Sequence, residues 1–361
     1  MKKNDRIKGI GKTALRLAVI LICAFLINTV ILLVSKKNPI EIYSILLKGA
    51  FGNLYNVARS LRWATPLIFT ALAFSVSARC GVFNIGADGQ LYMGAFAAAW
   101  VGFTFTGLPR VVLIPLAILA AMLAGMLWSM LAGWISIKFK ANIIVITLML
   151  NYIAILFTEY LVRYPFYVPG TLGEAGSTEY VAEAARLTVL IPRTNVTTGL
   201  IIGIVAAVLL WLFNRHTVLG YETEIIGANE RFSSFMGLDV RKKQMIVFAM
   251  TGMIAGLGGA VEILGNYGRF MVNFASGLGF DGIVVSLLAN GNPIGIIFAA
   301  LFMGAMTSGS IAVEMFGGVP KAMTGILLGV IIMIITVKFV PDFQKERKAR
   351  KRRISHAERL R

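Results

Sequence analysis

From Leu17 to Val34 the chain runs for 18 residues without a charge, directly behind a basic N-terminal segment. A helix needs roughly 20 such residues to cross the ~30 Å hydrocarbon core of a bilayer. Further apolar stretches follow at about 62–79, 86–106, 110–137, 141–161, 197–213, 245–265, 293–313 and 320–340, which makes nine candidates. Inside hydrocarbon every backbone N–H and C=O has to be paired within the protein, and contiguous runs of this length satisfy that as helices. Composition agrees. Hydrophobic residues make up 57% and charged residues 14%, against about 25% charged in soluble domains. The expected fold class is an all-α polytopic membrane protein.

The formal net charge is +18, a value that suggests nucleic acid at first sight. Its placement points elsewhere. Residues 1–16 hold six basic groups and one acid, and residues 341–361 hold nine basic groups and three acids. Basic flanks mark the cytoplasmic side, where anionic lipids also favour them. Both termini are therefore expected in the cytoplasm, with membrane lipids as neighbours and no nucleic acid as partner. The expected organisation is a basic tail (1–16), one transmembrane domain (17–340) and a second basic tail (341–361). The 214–243 loop, with Arg215, Arg231, Arg241, Lys242 and Lys243, falls inside, and the 163–196 loop, with three acids and three bases, falls outside. A signal peptide competes for 17–34, but Ser35-Lys36-Lys37-Asn38-Pro39 offers no small-x-small cleavage site.

Two cytoplasmic ends require an even number of crossings, and nine is odd. Gly277–Gly291 (GLGFDGIVVSLLANG) is apolar, bracketed by glycines and too short for a full span. A short or broken helix there brings the expected total to about ten.

The small counts exclude several chemistries. Cys23 and Cys80 lie in or beside apolar runs and suggest neither a disulfide framework nor a metal site. His216 and His356 sit in basic, polar surroundings, and there is no HExxH. Gly11-Lys12-Thr13 lacks the first glycine of a phosphate-binding loop, because position 6 is Arg6. No metal and no cofactor are expected in this chain. Work driven by ATP would need the ATPase on another chain. The GxxxG pairs Gly199/Gly203 and Gly252/Gly256 are expected to pack helices within one subunit, with a dimer seam as the competing reading.

Three features carry functional weight. The first is Arg79–Gln90 (RCGVFNIGADGQ), which breaks two apolar spans with glycines, Asn84, Asp88 and Gln90. It is either a capped turn or a break beside a translocation path. The second is Gly220–Val240 in the inner loop, expected as a short helix followed by a glycine turn, with Ile225, Ala228, Phe232 and Phe235 on one face. Such a face lies on lipid or docks a cytoplasmic partner. The third is polar residues at membrane depth: Asn151, Tyr152, Glu262 and Asp281. Ionisable groups there default to function. By spacing, Arg269 is a candidate partner for Glu262. Asn84, Asp88, Gln90, Asn151, Tyr152, Glu262 and Asp281 are the candidate path residues.

Cys80–Gly94 (CGVFNIGADGQLYMG), Thr147–Ala154 (TLMLNYIA), Gly227-Ala228-Asn229 with Gly237, Thr251–Glu262 (TGMIAGLGGAVE) and Gly279–Pro293 together resemble the permease subunit of a bacterial ABC importer. The family is the branched-chain amino acid and simple-sugar type. Within it, the likeness is greatest to permeases of nucleoside importers that work with a BMP-type binding lipoprotein. It covers roughly residues 60–340.

The resemblance implies a multi-pass protein of the bacterial cytoplasmic membrane that is itself no enzyme. Two permease subunits, in such importers often unlike, enclose one path. An extracytoplasmic lipoprotein delivers the ligand. A cytoplasmic ABC ATPase, which binds the ATP and Mg, docks against 222–237. The coupling residues it implies are Glu224, Gly227, Asn229, Arg231, Phe235 and Gly237. The family pattern has a basic residue before the Gly-x-Asn and small alanines after it; Glu224, Phe232 and Ser233-Ser234 depart from that. Spans rich in amides and aromatics suit a neutral sugar-plus-base ligand, with a simple sugar such as ribose or galactose as the alternative cargo. An ion-coupled transporter would want more intramembrane carboxylates or histidines than this chain offers.

Overall fold

The computed structural model describes residues 25–168, 176–275, 277–320, 323–327 and 329–330. Both basic tails, the 17–24 part of the first expected span and the 331–340 part of the last lie outside the described residues.

The chain divides into two compact units, 1–47 with 310–361, and 48–309. In the first, α1 (Phe25–Val34) meets the start of α2 (Pro39–Phe51). The Phe25 ring stands edge-on to Tyr43 at 5.1 Å, and the Tyr43 hydroxyl donates to the Phe25 carbonyl at 2.8 Å.

The second unit holds α3 (Leu54–Arg79), α4 (Ala87–Thr104), α5 (Arg110–Phe139), α6 (Ile143–Arg163) and α7 (Gly199–His216). Two short helices follow, α8 (Val218–Ala228) and α9 (Glu230–Phe235). Then come α10 (Val240–Glu262), α11 (Leu278–Leu288) and the start of α12 (Pro293–Phe316). Asn53, Asn142, Thr217 and Asp239 set helix starts by accepting backbone N–H bonds from two or three residues on.

Six helices among the described residues are long and apolar enough to cross a membrane: α3, α5, α6, α7, α12, and α10 continued by the π-turn Ile263–Tyr267. α4 has the length but opens on Asp88 and Gln90, which lowers its apolar character. α11 has only 11 residues, or about 16 Å, half the hydrocarbon core. The 277–291 segment is thus one short helix closed by a left-handed turn at Asn290 and Gly291.

α3 and α10 are mostly buried, whereas α5, α6 and α7 expose most of their length. In lipid, close backbone approach rather than apolar burial draws helices together. A β-carbon on Gly94 of α4 would lie 2.4 Å from the Gly256 Cα of α10, and one on Gly125 of α5 would lie 2.3 Å from the Gly252 carbonyl oxygen. Three helices therefore cross where only glycine fits. Gly199 and Gly203 of α7 face Val261 and Phe69. Both GxxxG pairs are spent on packing inside this chain.

Candidate functional site

At one end of the bundle, α3 stops at Arg79 and the chain turns back through Cys80–Gly86 before α4 begins. The turn is pinned by side chains. Asn84 Oδ1 accepts the Gly86 N–H at 2.8 Å, and Asn84 Nδ2 donates to Thr251 Oγ1 of α10 at 3.3 Å. Asn151 of α6 grips both strands of the turn, donating to the Ile85 carbonyl at 2.9 Å and accepting the Gly89 N–H at 2.8 Å. Thr147 Oγ1 accepts from Ile85 N at 3.3 Å. These bonds pair the backbone groups that a broken helix frees. Asn84 and Asn151 are buried, and so is Gln90, whose Oε1 has no partner among the described residues. Tyr152, one residue on from Asn151, is exposed.

Asp88, in the first turn of α4, reaches another chain break. Its Oδ1 accepts the Gly279 N–H at the start of α11, at 2.6 Å. Two helix N-termini thus meet at one carboxylate, a charge that their dipoles favour. The Tyr92 hydroxyl, one turn on, accepts the Ala275 N–H at 3.2 Å. Asp281 lies on the exposed side of α11, opposite the stripe that packs against α3.

At the far end of α3, Arg62 Nη2 pairs with Glu262 Oε2 at 3.1 Å and donates to the Tyr267 hydroxyl at 3.2 Å. Asn266 Nδ2 donates to Glu262 Oε1 at 2.9 Å. Glu262 is fully buried. Its ionic partner is Arg62 and not Arg269, because the π-turn after Glu262 carries Arg269 to the Tyr180 ring, 4.8 Å away. Residues 176–198 fold over this end, with backbone bonds from Thr178 to Phe270, Val181 to Gly268 and Leu187 to Leu264.

The 218–237 segment lies at the opposite end, against the α3 terminus. A β-carbon on Gly227 would fall 2.1 Å from the Arg79 carbonyl oxygen, and Gly81 sits back to back with Gly227. Glu224 pairs with Arg79 at 2.6 Å, and Glu222 pairs with Lys243 of α10. Asn229 ends α8 and starts α9, accepting the Phe232 N–H at 3.0 Å. Gly237 closes α9 at φ +82°, the left-handed region open to glycine. The other side of the segment is bare: Phe232, Phe235 and Met236 are exposed, Phe235 to 91%. Arg231 lines a neighbouring cleft of about 660 Å³ with Glu230, Ser234 and Arg241.

Arg62 carries no signal of its role in the sequence, because the apolar run begins at that residue whereas the helix begins eight residues earlier at Leu54. Thr147, Thr251 and Gly279 carry no charge signal in a sequence. They become visible only when α6, α10 and α11 are brought against the 80–94 segment.

Six apolar helices long enough to cross a bilayer, with two chain breaks that meet at Asp88 and a short helix pair fastened to one end, are the architecture of a polytopic membrane protein. The family model for the branched-chain amino acid transport system, permease component, matches residues 56–336. The chain belongs to that family and is a multi-pass protein of the cytoplasmic membrane. It is 33% identical to the guanosine ABC transporter permease protein NupP of Bacillus subtilis, over 88% of this chain and 91% of the relative. It is 30% identical to the nucleoside ABC transporter permease protein NupB of Lactococcus lactis, over 89% and 90%. It is 32% identical to a glucose ABC transporter permease protein of Haloferax volcanii, over 90% and 87%. Each of the two bacteria also has a second, unlike permease of the same description, NupQ at 30% over 71% of this chain and NupC at 28% over 70%.

Proposed function

We propose that the chain is one of two unlike permease subunits of an ABC importer that carries nucleosides into the cell. The observation that carries the reading is the run of guanosine and nucleoside permeases among its relatives, matched over about nine-tenths of both chains. Permeases of two kinds occur in each of those bacteria, and this chain aligns further along NupP and NupB than along NupQ and NupC. That favours a NupQ-like or NupC-like partner. Ten crossings with both ends in the cytoplasm fit the basic tails and place α8 and α9 inside.

A separate ATPase subunit, with its own ATP and Mg, docks on the bare side of α8 and α9 around Phe232, Phe235 and Arg231. Glu224, Gly227, Asn229 and Gly237 hold that surface in place. A binding lipoprotein delivers ligand at the opposite end, over the 176–198 cap. The path runs past the α11 break, where Asp281 is exposed in a single subunit, a costly state in lipid that a second subunit relieves. Asn84, Asp88, Gln90, Asn151 and Glu262 shape its wall. Tyr152 is less suited to it, being one of many exposed residues along α6.

The glucose relative supports a second reading, in which the cargo is a simple sugar. Uptake by cells carrying the whole transporter decides between them. Labelled guanosine accumulating, with unlabelled nucleosides and not glucose competing, is the expected result; the reverse pattern selects the sugar.

A further inference from the structure

Beside the proposed docking segment, the ends of α3 and α7, the side of α8 and the turn between α11 and α12 enclose an open cleft of about 450 Å³. Arg79, Arg215, Glu224 and Asn292 line it, and Trp211 and Tyr221 form an aromatic wall. Arg79 is matched by Glu224 at 2.6 Å. Arg215 lies over the Trp211 ring at 5.4 Å and makes no ion pair among the described residues. The lining therefore carries one uncompensated positive charge. In the same wall, Arg79 Nε and Asn214 Nδ2 are buried N–H donors without a partner among the described residues, which leave no buried acceptor unpaired in the lining. The site is short of acceptor oxygens and of one negative charge.

The cleft opens at the foot of α7, whose Ile201, Val205, Val208, Leu209 and Leu212 are exposed apolar residues. A tryptophan and an arginine at the end of a lipid-facing helix mark headgroup level. A guanidinium fork suits a phosphate, which offers it two oxygens at once. We infer that this cleft binds the headgroup of an anionic phospholipid, with the phosphodiester on Arg215 and the acyl chains along α7. Inorganic phosphate shares the recognised chemistry but brings nothing to cover the apolar face of α7. Arg79 belongs both to the cleft and to the tie with Glu224, so a bound phosphodiester bears on how firmly α8 is held. That consequence rests on α8 and α9 being the ATPase-docking segment; the binding itself does not.

The test uses the complete transporter, purified and exchanged into bilayer discs of phosphatidylcholine mixed with phosphatidylglycerol. Native mass spectrometry then counts retained lipid. The wild type retains phosphatidylglycerol in preference to phosphatidylcholine. Arg215→Gln reduces that retention about tenfold, and Arg215→Lys, which keeps the charge and loses the fork, reduces it less. Lys242→Gln, an exposed basic residue outside the cleft, changes it by no more than about twofold. If Arg215→Gln does not assemble, the comparison of Arg215→Lys with Lys242→Gln carries the same decision. Equal losses at positions 215 and 242 overturn the proposal, as does equal retention of the two lipids. So does full displacement by millimolar inorganic phosphate, which marks a free-anion site. Retention seen only without the ATPase subunit also overturns it, because the cleft then belongs to the docking face. ATPase co-purification is followed in the same samples; its loss with lipid retained counts against the docking reading alone.

Discussion

The Asp88 carboxylate, in the first turn of α4, accepts the Gly279 N–H of α11 at 2.6 Å, so a side chain of one helix caps the start of another that the sequence places 191 residues away. A β-carbon on Gly279 would lie 2.6 Å from the Asp88 backbone nitrogen, which keeps that approach to glycine. Removing the acceptor leaves a buried N–H with no partner, at a cost of about 1–3 kcal/mol. Asp88→Ala is expected to lower the melting temperature of the solubilised transporter and to abolish uptake. Asp88→Asn keeps an acceptor and is expected to retain most of the stability. Equal melting of both variants and wild type would show that α11 needs no such cap.

Arg62 and Glu262 form a buried ion pair, which costs more to break than to replace. Glu262→Gln is expected to destabilise the protein by about 3–5 kcal/mol. The double change Arg62→Met with Glu262→Leu is expected to recover much of that loss. A double variant no more stable than the single one contradicts a mainly structural role for the pair. Thermal melting reads the stability, and uptake by the double variant shows whether transport needs the charges as well.

Gly227 has no room for a side chain, since a β-carbon there would sit 2.1 Å from the Arg79 carbonyl oxygen. Gly227→Ala is expected to push α8 off the end of α3 and to cut nucleoside-stimulated ATP hydrolysis more than tenfold, with insertion unchanged. Gly237→Ala meets no neighbour within 4 Å among the described residues, and the strain there is that of its φ of +82°. That strain is about 1–2 kcal/mol, so its effect should be clearly smaller. The ratio of the two hydrolysis rates checks the difference.

Phe235 is 91% exposed among the described residues. Phe235→Glu is expected to leave the melting temperature within a few degrees of wild type. It should sharply reduce co-purification of the ATPase subunit. Undiminished co-purification would move the docking surface elsewhere.

The all-helical character and six of the apolar spans were legible in the sequence, because apolar length reports directly on what a bilayer allows. The short piece at 277–291 is one short helix ending at a left-handed pair, close to expectation, whereas the 220–240 segment, expected as one short helix and a glycine turn, is two helices jointed at Asn229 before the turn at Gly237. Less legible was what polar residues do once buried. Asn84 and Asn151 spend their amides on backbone groups of the 84–89 turn, a pairing that depends on α6 lying beside α4. Glu262 takes Arg62, 200 residues away, over the nearer Arg269. The offset arises because a π-turn shifts the helix register just after Glu262. Glu224, expected to face a partner chain, binds Arg79 of its own chain.

The back-to-back contact of Gly81 with Gly227 makes α3 a mechanical rod with a handle. From Arg79, at the handle, to Arg62 the rod is about 25 Å long. Its near end meets α8 backbone to backbone, with the Arg79–Glu224 ion pair beside that contact. Its far end is held by the Arg62–Glu262 ion pair together with the Arg62 bond to the Tyr267 hydroxyl. Any displacement of α8 therefore has to carry the end of α3 with it, because two backbones in contact leave no side chain between them to yield.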